Sequence, residues 1–179
     1  MRRLMLLRHA KTERAEPGEL DRDRKLLKRG RDDAAALGAY MAHHGLVPDL
    51  ALISPAVRTQ ETWTIIANAF NAASSAKPPR SKTDDRLYNA TPDRLVAIIG
   101  VQDVPHALLV VGHNPTLHEA ALQLIAAGDV ASRESLAEKL PTSGLVVIDM
   151  PIEDWSLLHV HAGRLERFVT PRLIATATE

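Results

Sequence analysis

Residues 4–10 read LMLLRHA, and the interpretation of the whole chain starts from this stretch. The apolar residues 4–7 are consecutive rather than alternating, which is typical of a strand buried on both faces of a parallel sheet. The run stops at Arg8 and His9, two neighbouring side chains that can carry positive charge. Either the strand simply reaches solvent there, or a site has been built at its carboxyl end.

Two further apolar runs, residues 50–53 and 107–112, are followed by signals for the start of a helix. The dipeptides Ser54–Pro55 and Asn114–Pro115 each predict an N-cap residue followed by a proline as the first helical residue. Thr91–Pro92 predicts another helix in the same way. Apolar residues recur at helical spacing between the runs, so strands alternate with helices, and this favours an α/β fold with a mostly parallel sheet.

The carboxyl-terminal third is expected to add a pair of antiparallel edge strands. Residues 145–150, LVVIDM, and residues 155–160, WSLLHV, are the two predicted strands. His159 and His161 then alternate on one face of the second strand, but no third ligand is evident, so no metal site is predicted. We expect a polar loop over residues 71–82, and an irregular segment with a short helix over residues 126–144.

Length and composition predict one domain over residues 1–179. Lys+Arg and Asp+Glu are both 22, which gives no support for a nucleic-acid or membrane partner. The absence of cysteine excludes disulfides and thiolate chemistry. The first apolar run is cut at Arg8 and is shorter than the roughly 7–15 residues of a signal peptide, and no run reaches the roughly 18 residues of a membrane span, so a cytoplasmic protein is expected.

Polar side chains gather at three predicted strand ends. Ligands of open parallel sheets bind outside the carboxyl ends of the strands, where Arg8, His9 and His113 lie, with Arg58 in the first turn of the next helix. Each residue alone is more often structural, but the four together favour a site. Two guanidinium groups, two imidazoles and two helix starts suit a dianionic tetrahedral group such as phosphate.

The motifs around these residues resemble those of the histidine phosphatase superfamily, the phosphoglycerate mutase-like proteins. LRHAKT at residues 7–12 resembles its Arg-His-Gly signature, and SPAVRTQETW at 54–63 and VVGHNPTL at 110–117 resemble its second and third motifs. The LKRGRDDAAALG run at 27–38 and the closing RFVTPRLI at 167–174 are similar to SixA-type phosphohistidine phosphatases. The resemblance implies a three-layer α/β/α fold with a mostly parallel central sheet and an antiparallel edge.

The resemblance also implies the chemistry. His9 would be the nucleophile that takes the phosphoryl group, and Arg8, Arg58 and His113 would hold the phosphoryl oxygens without a metal or cofactor. A neutral imidazole is a competent nucleophile near pH 7, and fixed positive groups stabilise the charge of the transferring phosphoryl group. Further candidates for substrate binding are Thr12, Asn114 and Arg24.

Two positions depart from the superfamily pattern. Ala10 replaces a usual glycine, which is tolerable if its φ is negative. Asn89 stands where many members carry a glutamate that acts as general acid, and Asp85 is the fallback acid. A phosphoramidate leaving group needs less help from an acid than an alkoxide does, so the pattern predicts dephosphorylation of a protein phosphohistidine.

Two alternatives stay open at this point. One is a phosphatase of small phosphate esters, and the other is a non-catalytic module that binds phosphate or a phosphoprotein. In every case phosphate, sulfate, vanadate or tungstate should occupy the pocket, because each presents oxygens to the same cations.

Overall fold

The computed structural model describes residues 1–73, 79–104 and 106–177. Within these ranges the chain forms seven strands and six α-helices. The strands are β1 (Arg2–Arg8), β2 (Leu50–Ile53), β3 (Arg80–Thr83), β4 (Ala107–Gly112), β5 (Ile125–Gly128), β6 (Leu145–Met150) and β7 (Gly163–Val169). The helices are α1 (Lys28–His43), α2 (Val57–Ala73), α3 (Pro92–Gly100), α4 (Thr116–Leu124), α5 (Val130–Glu138) and α6 (Pro171–Ala177).

The strands form one mixed sheet in the order β3-β2-β4-β1-β6-β7-β5. Strand β1 pairs in parallel with β4, β4 with β2, and β2 with β3. Strand β6 is antiparallel to both β1 and β7, and β5 pairs in parallel with β7. The mostly parallel α/β class is confirmed, but the antiparallel strand lies inside the sheet rather than at its edge.

The three layers follow from the alternation of side chains along β1. Leu4 and Leu6 join an apolar cluster with α3, α4 and α5 residues such as Ile98 and Leu117. Met5 and Leu7 join a second cluster on the opposite face, which α1 and α2 cover. All four β1 side chains are fully buried, so the sheet is covered on both sides, as the unbroken apolar run indicated.

The prediction of a strand over residues 155–160 was wrong. Asp154 accepts hydrogen bonds from the Ser156 backbone N–H and hydroxyl, which caps a short 3₁₀ helix over Trp155–Leu157. The Trp155 side chain is buried and donates to the Val104 carbonyl. The second strand is β7, and His161 lies before it in a turn with a φ of 55°.

The two helices at the predicted site begin later than expected. Helix α2 begins at Val57, so neither Ser54 nor Pro55 has its predicted role. Helix α4 begins at Thr116 with Pro115, not Asn114, as its N-cap. Thr91–Pro92 behaves as predicted, because the Thr91 hydroxyl accepts the Arg94 N–H at 3.2 Å.

Two short strands were missed by sequence analysis. The predicted polar loop over residues 71–82 begins within the last turn of α2 and ends in β3, an exposed edge strand, and its residues 74–78 lie outside the described ranges. The segment predicted as irregular contains β5 as well as its helix α5. No helix among the described residues is long and apolar enough to cross a membrane.

Candidate active site

The register of the sheet places the motif residues at one edge. Arg8 is opposite Gly112 between β1 and β4, and Ile53 is opposite Val111 between β2 and β4. The backbone ladder continues past the strands, since the His9 N–H donates to the Gly112 carbonyl at 3.1 Å. His9 and His113 therefore leave neighbouring strands together, and their ring centroids lie 5.5 Å apart.

His9 is held as a neutral imidazole with one nitrogen fixed. Its side chain is buried, and Nδ1 lies 2.8 Å from the Ala10 carbonyl oxygen. A carbonyl only accepts, so Nδ1 carries the proton and Nε2 keeps its lone pair. Burial, followed by the nearby His113, Arg58 and Arg8, lowers the pKa of His9 to about 3. Burial is the largest cause of this shift, and both it and the neighbouring cations disfavour protonation of the ring.

The turn after His9 is packed rigidly against α1 and α2. The Ala10 N–H donates to the Thr62 hydroxyl at 3.0 Å, and Ala10 lies outside the left-handed region. The methyl group of Ala10 is therefore tolerated in this turn. Gly30 of α1 is required, because a Cβ there would lie 2.2 Å from the Lys11 carbonyl oxygen.

His113 is also held neutral. Its Nε2 lies 2.6 Å from the Ser54 hydroxyl, and its ring makes an edge contact with Tyr88 at 5.6 Å. Burial and then the positive charge of Arg58 lower the pKa of His113 to about 4. Its Nδ1 is buried and has no hydrogen-bond partner among the described residues.

Arg8 and Asn114 are held by the same backbone group. Arg8 Nη1 and Asn114 Nδ2 donate to the Leu140 carbonyl oxygen at 3.0 and 2.9 Å. The remaining polar atoms Arg8 Nε and Asn114 Oδ1 are buried without a partner in the described part of the chain. Burial lowers the pKa of Arg8, although the guanidinium stays charged.

Arg58 has an acidic partner that sequence analysis missed. Its Nη1 donates to the Asp21 carbonyl at 2.8 Å and its Nη2 to Asp21 Oδ2 at 3.0 Å. Tyr88 donates its hydroxyl to the same carboxylate at 2.6 Å. The Tyr88 hydrogen bond, followed by those of Arg24 and Arg58, lowers the pKa of Asp21 to about 2. The carboxylate is therefore ionised at neutral pH.

Two of the secondary candidates join this network. Arg24 donates from Nη1 to Asp21 Oδ1 at 3.1 Å and from Nη2 to the Thr12 hydroxyl at 2.6 Å. Thr12 and Arg24 thus border the Arg58–Asp21 pair. The charge-rich residues 21–24 were the only sequence signal for Asp21, and they do not indicate which arginine it contacts.

The candidate general acid Asp85, and Asn89 at the position of the usual acid, do not join the network around Asp21. Asp85 is exposed, and its side chain makes no hydrogen bond or ion pair with other described residues. Asn89 is exposed with a φ of 58°, a conformation that asparagine tolerates. Among the residues described, no group of three or more His, Asp or Glu side chains is placed to hold a metal ion.

The site is rich in buried donors. Arg8 Nε and Arg58 Nε lack a hydrogen-bond partner among the described residues, as does His113 Nδ1. Buried polar groups are normally satisfied, so unmatched cationic donors at one edge of the sheet indicate an anionic ligand. A nucleophilic imidazole lies beside them.

Comparisons with known proteins show the family and the fold of this chain. Residues 4–84 match the histidine phosphatase superfamily (branch 1). An uncharacterised protein from Mycobacterium leprae is 32% identical over 173 residues, which cover 93% of this chain and 100% of the relative. A crystal structure from Agrobacterium tumefaciens, named as a SixA phosphohistidine phosphatase, is 31% identical with a TM-score of 0.76, covering 95% of this chain and 98% of that one.

A structure of the protein histidine phosphatase SixA complexed with tungstate covers 96% of this chain and 99% of its own. Its TM-score is 0.70 and its identity 16%, so it shows the shared fold alone. The chain belongs to the histidine phosphatase superfamily. Within that superfamily of phosphatases it is of the SixA type.

Proposed function

We propose that the protein dephosphorylates protein phosphohistidine through a covalent phosphohistidine on His9, without a metal ion. The observation that carries the proposal is the neutral His9 imidazole, fixed through Nδ1 beside cationic donors that lack partners in the described part of the chain. Membership of the histidine phosphatase superfamily supports a phosphatase. The site residues, their roles and the substrate class are our inference.

The nucleophile is Nε2 of His9. The Ala10 carbonyl holds the proton on Nδ1, which leaves the Nε2 lone pair available without a general base. Once Nε2 is phosphorylated, the ring becomes a cation that still donates from Nδ1 to the same carbonyl. That hydrogen bond therefore supports the intermediate as well as the free enzyme.

The phosphoryl oxygens are held by Arg8, Arg58 and His113. Asp21 accepts one N–H from each terminal nitrogen of Arg58, while the buried Arg58 Nε has no partner among the described residues and is available to a phosphoryl oxygen. Fixed donors in a buried site stabilise the charge of the transferring group without reorganisation at the moment of reaction. Asn114 lies beside Arg8 and is a further binding residue.

The leaving group decides the substrate class. The carboxyl groups of this region do not supply a proton, because Asp21 is ionised and Asp85 makes no bond with the set. A phosphohistidine ring that is already protonated on its other nitrogen needs no general acid. When the P–N bond breaks, its electron pair returns to the leaving ring, which departs as neutral imidazole. An alkoxide would need a positioned acid, worth roughly 10²–10⁴-fold.

The second half-reaction balances in the same way. Water attacks the phosphorus of phospho-His9, the P–Nε2 electron pair returns to the imidazole, and dihydrogen phosphate leaves with both hydrogens of the water. We place this activity in the cytoplasm, and we expect sulfate, vanadate and tungstate to compete for the donors that hold the phosphoryl oxygens.

The test is turnover of a phosphohistidine peptide and of an aryl phosphate, each in the presence of a chelator. We expect the peptide to be the better substrate, and an acid-labile phosphoenzyme to appear in rapidly quenched samples. His9→Ala should abolish both turnover and the phosphoenzyme while it keeps most of the tungstate affinity. His159→Ala, an exposed histidine outside the site, is the matched control.

Four outcomes count against the proposal. A phosphoenzyme in His9→Ala would move the nucleophile to another residue. Tight phosphate binding without turnover would favour a binding module, and a preference for the aryl phosphate would favour a small-ester phosphatase. Strict metal dependence would reject the mechanism.

A further inference from the structure

The hydroxyl of Ser54 lies behind the ring of His113. Ser54 is fully buried at the end of β2, and its Oγ is 2.6 Å from His113 Nε2. Its backbone is fixed, since its N–H donates to the Val111 carbonyl and its own carbonyl accepts the Thr59 hydroxyl at 2.7 Å. The hydroxyl is thus presented to His113 by the strand rather than by a mobile loop.

The other ring nitrogen of His113 has a different environment. Nδ1 is buried and has no hydrogen-bond partner among the residues described, while the ring lies 5.5 Å from that of His9. If the site holds a phosphoryl group as proposed above, Nδ1 is the His113 nitrogen available to one of its oxygens. It can contribute there only as a donor, because a lone pair would face a negatively charged oxygen.

The neutral His113 ring carries a single N–H proton, which lies on either Nδ1 or Nε2. Burial and the charge of Arg58 keep His113 neutral near pH 7, with a pKa of about 4. The Ser54 hydroxyl also has one proton, and in the described part of the chain its hydrogen-bond partner is His113 Nε2. If Nε2 carried the ring proton, the hydroxyl proton would have no acceptor there, which is costly in a buried position.

We propose that Ser54 is a positioning residue that donates its hydroxyl proton to His113 Nε2 and so holds the ring proton on Nδ1, where it is donated to a phosphoryl oxygen. The inference rests on the proposed function for the identity of that oxygen. The tautomer itself is a property of the free protein and is tested without substrate.

The experiment is ¹⁵N NMR of histidine-labelled protein at pH 7.5, with the His113 signals identified by their loss in His113→Gln. We expect wild-type His113 to be protonated on Nδ1 alone, both free and with tungstate. In Ser54→Ala the proton should be shared with or moved to Nε2. Turnover number should fall by about 10-fold, less than the roughly 10²–10³ that complete loss of one such donor costs, with a smaller change in KM.

Two variants separate this role from simple support of the fold. Ser54→Thr keeps the hydroxyl and should restore the wild-type NMR pattern and most of the turnover. Thr59→Val removes a neighbouring buried hydroxyl that donates to the Ser54 and Ala56 carbonyls and does not touch His113. It should leave the His113 tautomer unchanged even if the protein is less stable.

A wild-type His113 that is protonated on Nε2 would overturn the inference, as would a doubly protonated ring in the tungstate complex, since an imidazolium donates from Nδ1 whatever Ser54 does. An unchanged tautomer in Ser54→Ala would also overturn it. These results leave the proposed function intact if His9 is still phosphorylated. Conversely, a protein with the Nδ1 tautomer and no turnover contradicts the proposed function alone.

Discussion

Strand β1 carries Arg2 and Arg3 at its start and Arg8 at its end, and the side chains of Arg3 and Arg8 have different environments. Arg3 lies in a two-point ion pair with Asp149, Nε to Oδ1 at 2.7 Å and Nη2 to Oδ2 at 3.0 Å. That hydrogen bonding raises the pKa of Arg3. The Arg8 guanidinium has only the Leu140 carbonyl as its hydrogen-bond partner among the described residues, and burial lowers the pKa of Arg8.

The difference distinguishes a structural arginine from a functional one. A guanidinium with a matched carboxylate has its charge and geometry satisfied within the protein. A partly buried guanidinium without one costs folding free energy unless a ligand supplies the negative charge. The chain has no net charge, so the excess of positive charge at the carboxyl edge of the sheet is local. Asp21 offsets Arg58 and leaves Arg8 unmatched.

The comparison of Arg3 with Arg8 predicts its largest effect on activity when the Arg8 guanidinium is removed and almost none when that of Arg3 is removed. Arg8→Ala should lower kcat/KM for a phosphohistidine peptide by about 10³-fold, because a fixed donor to the transferring group is lost. Arg3→Ala should change kcat/KM by less than twofold and lower the free energy of unfolding by about 1 kcal/mol or less, since the Arg3 pair is partly exposed. Steady-state kinetics and chemical denaturation of both variants measure these effects.

Equal losses of activity in the two variants would break the comparison. If Arg8→Ala unfolds, its loss of activity says nothing specific about the guanidinium. Arg8→Gln, which is closer in size, is the second variant for that case. Tungstate affinity of the folded variant should then fall together with kcat/KM.

Much of the fold followed from sequence because its central strands are unbroken apolar runs. The prediction of a strand over residues 155–160 was wrong because their apolar pattern resembles a strand, whereas Asp154 and Ser156 favour a capped turn. Strand β7 was missed because Arg164, Glu166 and Arg167 interrupt the apolar pattern. Short-range hydrogen bonding and an unusually charged strand thus decided the two errors.

Some residues of the candidate site could also be predicted from the sequence, and others could not. Arg8, His9 and His113 were predictable because the strand ends of a parallel sheet share one edge. The Arg58–Asp21 pair joins α2 to a loop, and no periodicity reports such a contact. Ser54 was misinterpreted because a serine before a proline is a good N-cap, and only the structure places its hydroxyl against His113.

The comparison is sharpened by a substitution that keeps the charge. Arg58→Lys should reduce transition-state stabilisation by about 2–4 kcal/mol, because an ammonium cannot bind Asp21 through two nitrogens and still present a third to an oxygen. Arg3→Lys, at the other end of the sheet, is the matched control and should keep activity. The measurement is kcat/KM for the same peptide.

Activity of Arg58→Lys within twofold of wild type would show that charge alone matters at this position. The planar arrangement with Asp21 would then have no catalytic consequence. If Arg58→Lys and Asp21→Asn lose kcat/KM to a similar extent, the result would instead support a role for Asp21 in orienting Arg58.

The smallest expected effect concerns pH and follows from the same excess of positive charge. Burial and neighbouring charges lower the pKa of His9 to about 3 and that of His113 to about 4. The ordinary pKa of histidine, which applies to the unfolded chain, is about 6.5. Below that value the unfolded state takes up protons that the folded state does not. Stability is therefore complete above about pH 6.5 and is lost as the pH falls towards the folded-state values.

Between pH 7.5 and 5.5 each of the two histidines should reduce the free energy of unfolding by about 1.4 kcal/mol. Chemical denaturation at both pH values measures the total change for the wild type. In His9→Gln the change should be smaller by about that amount, whatever the absolute stability of the variant, because only the pH dependence is compared. If wild type and His9→Gln lose the same free energy over this interval, His9 takes up protons equally in both states. Its imidazole would then not be held neutral by the fold, and the distinction between the two ends of β1 would not extend to the nucleophile.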